Sequence, residues 1–180
     1  MAHYNSFVRI PLLVLRQAVK PLPRIGTLET DVLNLRVWPN DVDFNFHLNN
    51  ARYLSVMDYG RIHLLARAGV LKPALKARWA PVVGAVWITY RRSLPLWARY
   101  QLATRLVCWD ERWFYMEQTF TGDEGLVAVG WVKGAFLDKA GTVPPQHIMD
   151  MVQSGIVSPP LTESIQILND LTREKLQSAS

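Results

Sequence analysis

Between Asp41 and His47 a chemically capable side chain recurs at every second residue: Asp41, Asp43, Asn45 and His47. In an extended segment such residues share one side, while Val42, Phe44, Phe46 and Leu48 share the other. A polar row would then line a cleft while an apolar row anchored the loop. The residue types suit attack on a carbonyl. A carboxylate such as Asp43 activates water or attacks directly, Asn45 orients water or the carbonyl, and His47 relays a proton near neutral pH. The developing oxyanion needs donors as well. A helix starting at residues 50–53 supplies free N–H groups and the positive end of a dipole.

Two metal readings of the loop fail on spacing. Asp-x-Asp-x-Asn opens an EF-hand, but Phe46 and Arg52 stand where that loop requires Gly and Glu. A two-histidine helix fails too, because only His47 lies near other ligand types. Neither a metal nor a cofactor is expected. The bland alternative is that Asp and Asn merely satisfy turns and cap a helix, a role that suits Asn49 and Asn50.

The elements that would position the loop follow from periodicity. Residues 30–38 alternate, with Leu33, Leu35 and Val37 on one side, as in a half-buried strand. Asn49 or Asn50 caps an amphipathic helix over Ala51 to Ala68, with Leu54, Met57, Leu64, Leu65 and Ala68 inward and Gly69 ending it. Val82 to Tyr90 is almost wholly apolar and predicts a strand covered on both faces. Tyr100 to Trp109, Trp113 to Thr121 and Leu126 to Leu137 predict three more strands joined by short turns at Asp110-Glu111 and Gly122–Gly125. After Asp138–Gly141 the chain loosens, and a last helix is expected over roughly Leu161 to Leu176. Strand, long helix, then four antiparallel strands is an α+β layer pattern.

The 180 residues suit one main domain at 28–140, with an N-terminal arm at 1–27 and a C-terminal extension at 141–180. The formal charge of +5 suits anionic partners without choosing among them. Nucleic acid is disfavoured, because no basic stripe interleaves with exposed aromatics; Trp87, Trp109, Trp113 and Trp131 fall in strand segments. Cys108 is the only cysteine, which excludes an intrachain disulfide, and its apolar setting predicts an inert thiol. No run reaches the length of a membrane span.

In the arm, Phe7 to Val19 is apolar, but Arg9 and Arg16 interrupt it and no small-residue cleavage site follows, which argues against a signal peptide. A short helix would run from Pro11 to Lys20, with Arg9, Arg16 and Lys20 near one stripe. It packs on its own domain or a partner subunit in one reading and touches a membrane in the other. The expected setting is cytoplasmic, with at most peripheral membrane contact.

Asp-Val-Asp-Phe-Asn-Phe-His-Leu-Asn-Asn-Ala-Arg-Tyr resembles the D-x-D-x-N-x-H-x-N-N-x-x-Y signature of the hot-dog thioesterases. It is similar to the plant acyl-ACP thioesterases and to the 4-hydroxybenzoyl-CoA thioesterase-like proteins. The Leu48–Leu54 run and Trp109–Tyr115 look closest to the branch called thioesterase superfamily member six. The resemblance covers roughly residues 28–138. It implies an antiparallel sheet wrapped around one long helix, and hydrolysis of an acyl-CoA or acyl-carrier-protein thioester. Asp43 matches the carboxylate used as base or nucleophile, and Asn45 and His47 match the plant enzymes' catalytic Asn and His. Asn50 and Tyr53 of the motif are expected at the substrate. Arg91 and Arg92, with Arg99, surround the Ser93–Trp97 turn and suit the phosphates of coenzyme A, although a solvated sheet end would look the same. A homodimer or higher even oligomer with a shared site is also implied. One departure stands out. Where the plant enzymes follow Tyr-Arg-Arg with Glu and Cys, this chain has Ser93 and Leu94. Asp43 must therefore act without them. The same departure favours the rival reading, an acyl-CoA or lipid-binding module without turnover. A dehydratase of the same fold has no supporting motif.

Overall fold

The computed structural model describes residues 22–178, so the expected helix at Pro11–Lys20 lies outside the described residues. Strand β1 (Asp31–Arg36) leads through a 3-10 turn (Pro39–Asp41) to helix α1 (Asn50–Ala68). Helix α2 (Leu71–Ala77) follows, then strands β2 (Ala80–Tyr90), β3 (Arg99–Trp109), β4 (Phe114–Gly122) and β5 (Gly125–Asp138). A short strand β6 (Gly141–Val143) and helices α3 (Pro145–Val152) and α4 (Glu163–Ser178) complete the chain.

All pairings are antiparallel, in the order β1-β3-β4-β5-β2, with β6 added to β5. The sheet curls around α1, the arrangement that the resemblance implies. Met57, Leu102, Phe120 and Val132 are each almost fully buried between helix and strands. Burying side chains of this size stabilises by about 1.5–3 kcal/mol apiece. Gly60 lets the helix approach closely, since a Cβ there would stand 2.6 Å from Leu102 Cδ2. Asn49 caps α1 by accepting from the Ala51 N–H (2.9 Å), and Gly69, at φ 84°, closes the other end in the left-handed region.

Three expectations need correcting. The strand at Val82–Tyr90 is not covered on both faces: among the described residues β2 pairs only with β5, and every one of its residues is half-buried or exposed. Within α1, Leu54 faces outward, and the buried stripe runs instead through Tyr53, Val56, Met57, Gly60 and Leu64. The chain after Gly141 is also more ordered than its composition implies. Ile148 and Met149 of α3 enter the lower core with Phe114 and Phe136. Ile165 of α4 packs beside Cys108 and Tyr115. Among the described residues no helix is long and apolar enough to cross a membrane.

Candidate active site

Two connections meet at the N-terminal end of α1. Residues 37–49 link β1 to the helix, and residues 91–98 cross from β2 at one edge of the sheet to β3 next to the other edge. Four backbone hydrogen bonds sew them together: Val37 N–H to Ala98 O (2.9 Å), Trp97 N–H to Val37 O (3.1 Å), Leu48 N–H to Leu94 O (2.8 Å) and Leu96 N–H to Phe46 O (2.9 Å). The loop is thus held by main chain rather than by an apolar row.

Its alternating pattern does not survive folding. Residues 43–47 form a tight turn, closed by Asp43 N–H to His47 O (3.0 Å) and Phe46 N–H to Asp43 O (3.1 Å), with Phe46 at φ 59°. Phe44 and Phe46 are therefore 88% and 67% exposed instead of anchoring the loop; only Val42 and Leu48 turn inward. The same turn is tied together by the Asp43 side chain. Asp43 Oδ1 accepts from the Asn45 N–H (2.8 Å) and the His47 N–H (3.4 Å). Among the described residues Asp43 Oδ2, the Asn45 amide and the His47 ring make no hydrogen bond, which leaves all three open to a ligand.

The remaining motif residues divide. Asn50 is exposed at the first position of α1, its carbonyl accepting from Tyr90 Oη (3.4 Å). Among the described residues its N–H has no partner, because the Asn49 cap engages Ala51 and Arg52 instead. Tyr53 is 2% exposed and packs on Phe120 and Tyr90, so it supports the helix start from within the core. Burial and the neighbouring Tyr90 push its phenol up to about 12. The Arg91 and Arg92 side chains are exposed in the crossing connection, and Arg92 donates to Glu124 O (2.6 Å). Leu94, where the plant enzymes carry Cys, is a core residue, while Ser93 is exposed. Cys108 is buried, and burial with Asp110 nearby pushes its thiol up to about 11, unfit for a nucleophile. Among the described residues no three His, Cys, Asp or Glu side chains gather as a metal set.

Sequence reasoning missed Arg52. Its buried guanidinium donates to Asn40 O (2.6 Å) and lies 3.8 Å from Asp41 Oδ1, bracing the loop against the first turn of α1. An arginine eleven residues after an aspartate carries no periodic signal, so only tertiary structure reveals the pair. Asp41, assigned above to the cleft-facing row, is spent on this brace.

Residues 37–164 match the family model described as the thioesterase-like superfamily. A Xenopus laevis protein named THEM6 is 31% identical over 179 residues, covering 97% of this chain and 84% of the relative. Among solved structures, the probable thioesterase YbaW from Escherichia coli aligns with TM-score 0.62 at 22% identity, covering 70% of this chain and 98% of its own. A Staphylococcus aureus protein solved in complex with CoA aligns with TM-score 0.61 at 15% identity, over 77% of this chain and 92% of its own.

Proposed function

The chain belongs to the thioesterase-like superfamily, in the THEM6 branch of hot-dog thioesterases, and from that premise we propose that it cleaves acyl-CoA at the Asp43–His47 turn. It is a thioesterase, and hydrolysis of acyl thioesters is its general activity. The observation that carries the finer reading is the state of the Asp43 carboxylate. One oxygen accepts from two backbone N–H groups and, among the described residues, the other is unengaged, as is the first N–H of α1. Asp43 takes a proton from water, and the hydroxide attacks the thioester carbon. The oxyanion is met by the Asn50 N–H and the helix dipole. Collapse breaks the C–S bond, and the thiolate leaves with a proton from His47. Asn45 orients the water, and Arg91 and Arg92 bind the phosphates of CoA. A relative of the same fold was solved with CoA, which supports this choice of carrier.

Among the described residues the outer edge of the eleven-residue strand β2 is unpaired, which supports a homodimer, since such an edge invites strand pairing. Thiol release from a panel of acyl-CoAs, by wild type and Asp43→Asn, tests the chemistry. Equal rates would remove Asp43 from it. Light scattering at twice the 20.6 kDa chain mass, or a larger even multiple, tests the assembly, and an active monomer would overturn it.

A further inference from the structure

Between Asp58 and Asp110 the chain carries nine Lys and Arg residues and no carboxylate. Three of the nine are paired: Arg61 with Asp58, Arg67 with Asp31 and Arg105 with Glu117. Arg61 also donates to Gln118 Oε1 (2.9 Å). Lys72 and Lys76 are exposed on α2, just past the C-terminal end of α1, and among the described residues neither has an ion pair. They stand one turn apart, a like-charge spacing that disfavours an isolated helix. With Arg24, Pro73, Met151 and Val152 they line an open groove, and among the described residues no carboxylate lines it. Arg24 lies across Gly69 and donates to Ala68 O (3.2 Å). Arg67 fixes the same stretch of chain, donating to Pro23 O (3.0 Å) and accepting at its own carbonyl from the Ile25 N–H (3.3 Å). Met151 is 51% exposed, and Asp150 beside it accepts from the Gln146 amide (2.9 Å).

We propose that this face docks on an anionic lipid bilayer, with Arg24, Lys72 and Lys76 at the headgroups and Met151 toward the acyl chains. Charge selects the occupant. The chain reaches the groove from residues 1–21, which by sequence carry Arg9, Arg16 and Lys20 and no carboxylate. That segment therefore adds like charge to the groove instead of neutralising it. A second copy seated face to face would meet the same repulsion. A polyanion suits the groove and the segment together. Lipid fits better than nucleic acid, because no aromatic side chain lines the groove to stack on a base. Apolar side chains accompany the charges instead: Pro73, Met151 and Val152 in the groove, and Phe7, Ile10, Leu12 and Leu15 in the segment that leads to it. Binding at a bilayer surface combines these same two contributions, buried apolar area and attraction to anionic headgroups. The Asp43–His47 turn lies at the other end of α1, about 27 Å away along the helix, so docking and turnover use separate surfaces.

Sedimentation of the full chain with vesicles tests the docking. Vesicles of phosphatidylcholine and phosphatidylglycerol in equal parts should carry the chain down at low salt and release it at high salt. Vesicles of phosphatidylcholine alone should leave it in the supernatant. Each cation near an anionic surface contributes about fivefold in partitioning, so Lys72→Gln with Lys76→Gln should weaken binding by roughly thirtyfold. Lys72→Arg with Lys76→Arg should preserve it. Met151→Asp should weaken it by about tenfold or more, through lost apolar contact and an added like charge. All three positions are exposed, so the urea midpoint of each variant should match wild type. The proposal falls if the chain ignores anionic vesicles at low salt or sediments equally with phosphatidylcholine alone. It also falls if Arg9→Gln, Arg16→Gln and Lys20→Gln together abolish binding while the lysine-to-glutamine pair leaves it unchanged, which would assign docking to residues 1–21 alone. A single-stranded oligonucleotide that binds more tightly than the vesicles would overturn the choice of lipid. No readout here uses turnover, so docking stands or falls apart from hydrolysis.

Discussion

Two Asp–His pairings lie at opposite ends of α1, and they use the same side chains in opposite ways. At the N-terminal end half-buried Asp43 and His47 meet only through the backbone, and among the described residues Asp43 Oδ2 and the His47 ring take no hydrogen-bond partner. Toward the C-terminal end Asp31 is 1% exposed; His63 Nδ1 lies 2.5 Å from its Oδ2 and Arg67 Nη1 2.6 Å from its Oδ1. Burial alone would raise the Asp31 carboxyl, but hydrogen bonds and charge from His63 and Arg67 outweigh it and hold the group below 3.8. A carboxylate with both oxygens engaged has no lone pair to lend to a substrate. One whose second oxygen is open can act as a base. Residue type therefore says less about catalysis than the number of partners already taken.

Replacing the saturated carboxylate should have the largest effect. Asp31→Ala strands Arg67 and His63 and should lower stability by about 3 kcal/mol, read as a shift in the urea midpoint, with turnover per folded molecule preserved. The reverse pattern is expected at the open carboxylate. Asp43→Asn should reduce turnover by about a hundredfold with the urea midpoint unchanged, and if stability fell instead the contrast would collapse. His47→Ala should cost less, about tenfold or roughly 1.4 kcal/mol of barrier in the acyl-CoA assay, because solvent can also protonate an exposed leaving thiolate. The smallest effect is on pH dependence. Because the folded carboxyl of Asp31 is depressed, its contribution is fully present above pH 3.8 and lost as pH falls through the lower folded value. Asp31→Asn should flatten the acid limb of stability against pH, and an unchanged limb would assign it to other groups.

Much of this was legible before folding. α1 declared itself through a capping Asn, spaced apolar residues and a terminal Gly. β3, β4 and β5 did so through β-rich runs broken at Asp110-Glu111 and Gly122–Gly125, and the sheet order then left little choice. The polar trio at 43–47 was visible as residue types, but period-two spacing misplaced Phe44 and Phe46, because side-chain-to-backbone bonds from Asp43 bent an extended segment into a turn. β2 misled for another reason. A run of apolar residues looks alike on a central strand and on an edge strand. Arg52, Asp31 and Gln118 carried no local signal, since each is explained only by a partner distant in sequence. The short elements α2, β6 and α3 fell below the length at which periodicity speaks.

The seam between residues 37–48 and 94–98 bears on how such a chain can change in length over descent. Surface connections ordinarily absorb added or lost residues at little cost. Here each connection measures the other, because their main-chain bonds alternate along both. One residue inserted between Val37 and Phe46 would slide the loop against Leu94 and Leu96 and break the bonds that seat the Asp43–His47 turn. Length variation should instead gather at places such as the exposed Asp138–Gly141 turn, which Asp138 closes with its own carboxylate (2.7 and 3.1 Å).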